Sequence, residues 1–227
     1  MKQPLSLPRG KAAAIFIDLQ EEHRGDPRYL VENYMSVLAN ARRLQQAARA
    51  AGVPIYHCAY KVERGADGLR PFHPVLADGT SAFSDGNDPL TEICAEVGPE
   101  RDEPLLIKSQ ASAFGAAALE PSLRAGGTEW LIVAGVWTEA CVDATVKGAI
   151  DRGFRVLLVK DACGSGTDAM HRTAILNLAN RLYGGALTDT DGACRLMSGA
   201  TVDVWRVQGA VPLRFGFDDA AALYDTL

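Results

Sequence analysis

Residues 12–20 read Ala-Ala-Ala-Ile-Phe-Ile-Asp-Leu-Gln, six apolar residues in a row that stop at a carboxylate. An apolar run of this length, with no polar alternation, predicts a strand buried on both faces. Strands of that kind belong to parallel sheets covered by helices. The abrupt change at Asp18 predicts a turn that carries an acid at the strand's carboxyl end.

The same grammar repeats downstream. Tyr29 to Ala51 spaces its apolar residues at i, i+3 and i+4 and stops at Gly52, which predicts a helix. Val53–Cys58 reads as a second strand, with Pro54 tolerable only near its start. Pro104–Ile107 and Glu129–Ala134 read as the third and fourth. A helix follows from about Thr138 to Arg152, with Val142, Thr145, Val146, Ala149 and Ile150 on one face and Gly153 as its stop. Phe154–Val159 is the fifth strand, Asp168–Tyr183 a further helix closed by Gly184-Gly185, and Ala186–Thr188 a short sixth strand. Glu63 to Pro89, rich in Gly, Pro and Asp, reads as a long functional loop. From Thr201 the pattern is irregular, with a strand near Val202–Trp205 and a terminal helical turn.

Strand–helix alternation with near-continuous apolar strands predicts an α/β fold in three layers, one domain over residues 1–227. Its irregular C-terminal extension, 198–227, carries Trp205, Phe215 and Phe217 as candidates for packing on a second copy. A chain of this size buries roughly three-quarters of its unfolded surface and needs no disulfides. The five cysteines are odd in number and contain no C-x-x-C pair, which fits a reducing, cytoplasmic setting. A net charge of -5 without a Lys/Arg run argues against a nucleic-acid partner. No window approaches about 18 apolar residues, so no membrane span is expected. The turn after Ile17 is not G-x-G-x-x-G and no phosphate-binding G-x-x-x-x-G-K-[ST] loop occurs, so no nucleotide cofactor is expected.

In open α/β sheets, ligands bind beyond the carboxyl ends of the strands, at the switch point. Asp18 follows the first strand directly and Lys108 the third. Cys141, in Gly135-Val-Trp-Thr-Glu-Ala-Cys-Val142, lies in the turn after the fourth. All three therefore map to one rim. A cysteine in the first turn of a helix feels the dipole's positive end, which favours thiolate over a free thiol near ~8.5, and backbone N–H groups there could hold an oxyanion. Asp18 would serve as general base and proton carrier, and Lys108 would hold the developing charge. Each residue has a plainer reading: Cys141 a buried hydrophobe, Asp18 a helix cap, Lys108 a solvated charge, with Cys163 a competing cysteine after the fifth strand. Their joint placement is what points to acyl transfer.

Ile17-Asp-Leu-Gln20, Lys108-Ser-Gln-Ala-Ser-Ala-Phe114 and Gly135 to Val142 together resemble the three signature segments of the isochorismatase-like cysteine hydrolases, over about residues 11–190. That resemblance implies a six-stranded parallel sheet in the order 3-2-1-4-5-6, and an Asp18–Lys108–Cys141 set cleaving a C–N bond of a small molecule through a thioester. It implies a cis peptide at Val136–Trp137 that orients the nucleophile turn, so Val136 and Trp137 are candidate substrate- or oxyanion-binding positions, with Gln20 and Phe114 beside them. It also implies a homodimer or homotetramer. Glu21-Glu22-His23 departs from the Asn-Asp-Phe common in relatives, changing a wall near the substrate. His57 and His73 lack ligand spacing, so no metal is expected.

Two rival functions remain: a vinyl-ether hydrolase of the same fold without covalent catalysis, and a binding or redox protein using Cys141 and Cys163. His171 reads as a capping or surface residue, and Trp130 and Trp205 as core or interface residues.

Overall fold

The structure, a computed structural model, describes residues 2–63, 72–100 and 102–227. Residues 64–71 of the expected long loop lie outside the described residues.

The six apolar residues form β2 (Ala12–Ile17), every one buried. Around it lie β1 (Lys2–Leu5), β3 (Ile55–Tyr60), β4 (Leu105–Lys108), β5 (Trp130–Val136), β6 (Arg155–Gly164), β7 (Ala186–Thr188) and β8 (Val202–Trp205), in one sheet of order β1-β8-β7-β6-β5-β2-β3-β4. Strands β2 to β7 pair in parallel, and their order is the expected 3-2-1-4-5-6 counted from β2. Two antiparallel strands extend the β7 edge: β8, the strand expected near Val202–Trp205, on β7, and β1, which was not expected, on β8. The N-terminal strand left no sequence signal because Pro4 interrupts it, which only an outermost strand tolerates.

Helices α1 (Glu22–Gly25), α2 (Tyr34–Ala51), α3 (Leu119–Ala125), α4 (Asp143–Asp151), α5 (Asp168–Ala179), α6 (Thr190–Met197) and α7 (Ala220–Asp225) connect and cover the sheet. Strand period two divides the core. Ala12, Ala14 and Phe16 point into a cluster with Val37, Leu38 and Leu44 of α2 and Leu196 of α6. Ala13, Ile15 and Ile17 point to the other face, against Leu123, Val146, Ile175 and Leu178 of α3, α4 and α5. Each fully buried Leu or Ile contributes about 1.5–3 kcal/mol, so both faces of the sheet are clamped. Gly52 ends α2 in the left-handed region, φ 67°, its N–H bonded to Ala48 and Arg49 carbonyls.

The C-terminal extension folds back on this body. Trp205 is buried in the second cluster, Phe215 packs against it, and α7 lies on α5. Of the three aromatic residues expected to reach a second copy, Phe217 alone is fully exposed. Among the described residues no helix is long and apolar enough to cross a membrane.

Candidate active site

Parallel pairing puts the carboxyl ends of β2, β3, β4 and β5 on one rim. Ile17 pairs with both Cys58 and Gly135, and Tyr60 with Lys108. Asp18 leaves β2 with φ 52°, a left-handed conformation that Asp tolerates better than most residues. Its N–H is fixed on the Cys58 carbonyl at 2.8 Å. On the other side β5 presses against β2 at Gly135. A Cβ there would lie 2.1 Å from the Ile17 carbonyl oxygen, and its φ of 133° also demands glycine. This contact brings the turn after β5 against Asp18.

From the far side of β3, Lys108 reaches across. Its Nζ donates to Asp18 Oδ2 at 2.7 Å, with side chains 0% and 4% exposed, and lies 4.7 Å over the Tyr60 ring. Burial opposes the Lys108 charge, but Asp18 and Cys141 outweigh it and hold the ammonium above its ordinary range. Among the described residues no N–H or O–H group reaches Asp18 Oδ1, which is equally buried, and the Cys141 thiol faces the carboxylate. A buried carboxylate oxygen without such a donor is unusual.

Cys141 stands in a single π-helical turn, Thr138–Val142, which follows the cis peptide Val136–Trp137 and runs into α4. Such turns recur at functional sites. Ala140 and Val142 N–H groups close on the Trp137 carbonyl at 3.0 and 3.2 Å, leaving the Cys141 N–H unused by these two bonds. Burial pushes the thiol well above its ordinary value, the Asp18 carboxylate adds to the rise, and Lys108 offsets part of it. The helix-terminus effect that favours thiolate is opposed here by burial and by the Asp18 carboxylate, which favour the thiol.

Asp18, Cys141, Val136 and Trp137 line a cavity of about 440 Å³, and Lys108 sits behind Asp18. Gln20 and Phe114 do not line it. The Gln20 amide is spent joining two strands' ends: Nε2 donates to the Tyr60 and Thr91 carbonyls and Oε1 accepts from the Tyr60 N–H. Phe114 stacks on Phe154, 6.0 Å between centroids, under the Arg152 guanidinium. Both were expected in or just behind the pocket, and in both the side chain turns to a structural partner, Gln20 to the backbone of the lining residue Tyr60.

The remaining wall includes Glu22 and His23, from the segment expected near the substrate. Tyr29, Tyr60, Phe83 and Ser84 line it as well, with Arg28 at its edge. Arg28 is held in a bidentate pair by Asp26. Burial raises the Glu22 carboxyl from 4.5 to about 7 against the hydrogen bonds of Ser84. Burial also lowers His23. His23 Nδ1 lies 3.2 Å from both the Trp137 indole N–H and the Tyr29 carbonyl; one donates and the other accepts, so each tautomer makes one of them.

His171 is no surface residue: it is 9% exposed, behind the nucleophile turn. Thr138 Oγ1 donates to the Gly164 carbonyl, so it accepts from His171 Nδ1–H at 2.8 Å. That leaves Nε2 to accept from the Tyr224 hydroxyl at 3.1 Å. Burial lowers His171 to about 4, consistent with this neutral ring. The competing Cys163 is buried within β6 and pushed up to about 12 by that burial.

His57 and His73 have separate partners, Glu103 at 2.8 Å and Ser81 at 2.6 Å. Glu21, Cys94 and Glu96 approach one another, but the Arg24 guanidinium already binds both carboxylates. A second cavity, about 510 Å³, lies at the amino end of the sheet beside Pro8, Val53 and Met197, and sets no nucleophile beside a base.

Residues 12–192 match the profile described as the isochorismatase domain. The chain is 30% identical to the maleamate amidohydrolase of Pseudomonas putida over 82% of its own length and 87% of that protein. It is 25% identical to the N-carbamoylsarcosine amidase of an Arthrobacter species, over 82% and 71%. Its fold is similar to a cysteine hydrolase from Pseudomonas syringae pv. phaseolicola, TM-score 0.76 at 22% identity, covering 86% of this chain and 95% of that one.

Proposed function

The chain belongs to the isochorismatase family, and from that premise we propose that it is a cysteine-dependent hydrolase cleaving the C–N bond of a small linear amide, ureido or carbamoyl compound. What carries the proposal is the buried Lys108–Asp18 pair beside the Cys141 thiol, with Lys108 on Asp18 Oδ2 and the thiol facing the same carboxylate. A base, a nucleophile and a fixed cation in one desolvated pocket are the parts that acyl transfer needs.

In the proposed reaction Asp18 Oδ1 takes the thiol proton as the sulfur attacks the carbonyl carbon, so thiolate forms only with the new C–S bond. Lys108 holds the Asp18 carboxylate in place through its bond to Oδ2. The carbonyl oxygen becomes an oxyanion held by backbone N–H of the nucleophile turn, Cys141 foremost. Asp18 returns its proton to the departing nitrogen as the C–N bond breaks. Water, deprotonated by the same carboxylate, then adds to the thioester and releases the acid, and the proton restores the thiol. One water is consumed, and one acid and one amine or ammonia are produced.

The relatives' names agree with this chemistry: maleamate amidohydrolase, ureidoacrylate amidohydrolase, N-carbamoylsarcosine amidase and nicotinamidase all act on C–N bonds. Five unpaired cysteines support a reducing, cytoplasmic setting as part of the proposal. Exposed Leu105 and Ile107 on the edge strand β4 support a homo-oligomer.

Ammonia or amine release from maleamate, ureidoacrylate, N-carbamoylsarcosine and nicotinamide tests the reaction class. At least one should be hydrolysed, with Cys141→Ala lowering the rate on the order of 10⁴-fold or more. Acid quench should trap the acyl group on the Cys141 peptide. Retained turnover in the alanine variant would rule out the thioester route.

A further inference from the structure

Glu22 is a carboxylate 6% exposed in the wall of the catalytic cavity, which is an expensive place for a charge. The protein provides for it deliberately. Ser84 is held at φ 50°, a strained value for serine, and from there both its hydroxyl, 2.6 Å from Oε1, and its backbone N–H face the carboxylate. The His23 ring nitrogen stands 3.9 Å from Oε1. A carboxylate offers about four acceptor positions, so the donors around Glu22 leave acceptor capacity turned toward the cavity.

Among the described residues, the cations beside this cavity are committed elsewhere. Lys108 is bound to Asp18, and Arg28 is chelated by Asp26 and reaches the Ala82 carbonyl at 3.3 Å. The rest of the wall is aromatic, with Phe83 5.8 Å from the Tyr60 ring and 6.1 Å from Tyr29. A substrate bound against Cys141 therefore meets an acceptor and flat apolar surfaces.

We propose that Glu22 determines the substrate class. Its carboxylate accepts a hydrogen bond from an N–H or O–H group on the non-reacting part of the substrate, which selects a neutral or cationic amide over one bearing a free carboxylate. The inference rests on the amide-hydrolase proposal but concerns a residue outside its chemistry.

The test uses the full chain at pH 8, where Glu22 is ionised, and two neutral/anionic pairs. The first pair is iodoacetamide and iodoacetate, with alkylation followed at Cys141 by peptide mass and each rate normalised to a free thiol. The second is maleamide and maleamate, compared by kcat/KM. Wild type should favour the neutral member of each pair by roughly tenfold or more, given a like charge a few ångströms away. Glu22→Gln should shrink the preference severalfold, whereas Glu22→Asp should retain most of it. An unchanged alkylation ratio in Glu22→Gln, or faster turnover of maleamate than maleamide by wild type, would overturn the assignment. If neither amide is cleaved, the proposed reaction suffers, while the alkylation ratio still decides for or against Glu22.

Discussion

Replacing Lys108 by methionine keeps the length of the side chain and removes its charge. The ammonium lies 2.7 Å from Asp18 Oδ2 with both side chains out of water. At an effective dielectric near 20 their attraction is on the order of 6 kcal/mol. Desolvation offsets much of this, so the pair is not expected to add greatly to stability. Removing one member is another matter, because it leaves the buried Asp18 carboxylate without its cation. Breaking a buried pair in this way costs about 3–5 kcal/mol, a large share of the roughly 5–15 kcal/mol that holds a domain folded. Asp18→Asn alone strands the ammonium at similar cost. The double variant removes both charges and should cost no more than either single, a coupling of at least about 3 kcal/mol. Urea denaturation of the four proteins measures it. Because Lys108 is the group that lowers the Cys141 thiol, Lys108→Met should also slow thiol alkylation at any fixed pH. Additive single effects within about 0.5 kcal/mol, or a Lys108→Met protein as stable as wild type, would refute the buried-pair account.

Two buried groups should impose opposing pH dependences on stability. Glu22 is raised from 4.5 to about 7, so the folded state holds the extra proton and gains stability as pH falls from 7 to 4.5. His171 is lowered from 6.5 to about 4, so the unfolded state holds the extra proton and stability falls as pH drops from 6.5 to 4. Each is worth about 3 kcal/mol. Thermal unfolding of Glu22→Gln should then weaken on acidification more steeply than wild type, and His171→Asn less steeply; parallel profiles would contradict the burial of these groups. Gly135→Ala should cost at least about 3 kcal/mol or abolish soluble expression, since the new Cβ meets the Ile17 backbone; a normal melting curve would refute the close approach. Tyr224→Phe removes the hydroxyl that His171 Nε2 accepts and should lower stability by about 1 kcal/mol by calorimetry.

Much of the architecture was readable because it is written in periodicity. The all-apolar β2 run, the i, i+3, i+4 spacing of α2 and the glycine after it declare their elements locally. Asp18, Lys108 and Cys141 could be singled out because each lies at or just beyond a strand end, where parallel topology gathers side chains. What misled was closeness in sequence. Gln20 lies two residues from Asp18, yet its amide had two carbonyls and an N–H to satisfy. His171 resembled a surface residue because its partners, Thr138 and Tyr224, are 33 and 53 positions away.

From sequence alone came the strands, the rim and the identity of three side chains on it, because these follow from the pattern of burial along the chain; the strand order came only from the family resemblance. Only the tertiary structure showed the burial that favours the thiol form, and which side chains of the expected walls meet at the cavity. Both depend on charges and donors brought together from distant segments: Ser84 beside Glu22, Lys108 beside Asp18, Trp137 beside His23. Periodicity records which way a residue faces. It does not record which distant residue it will face.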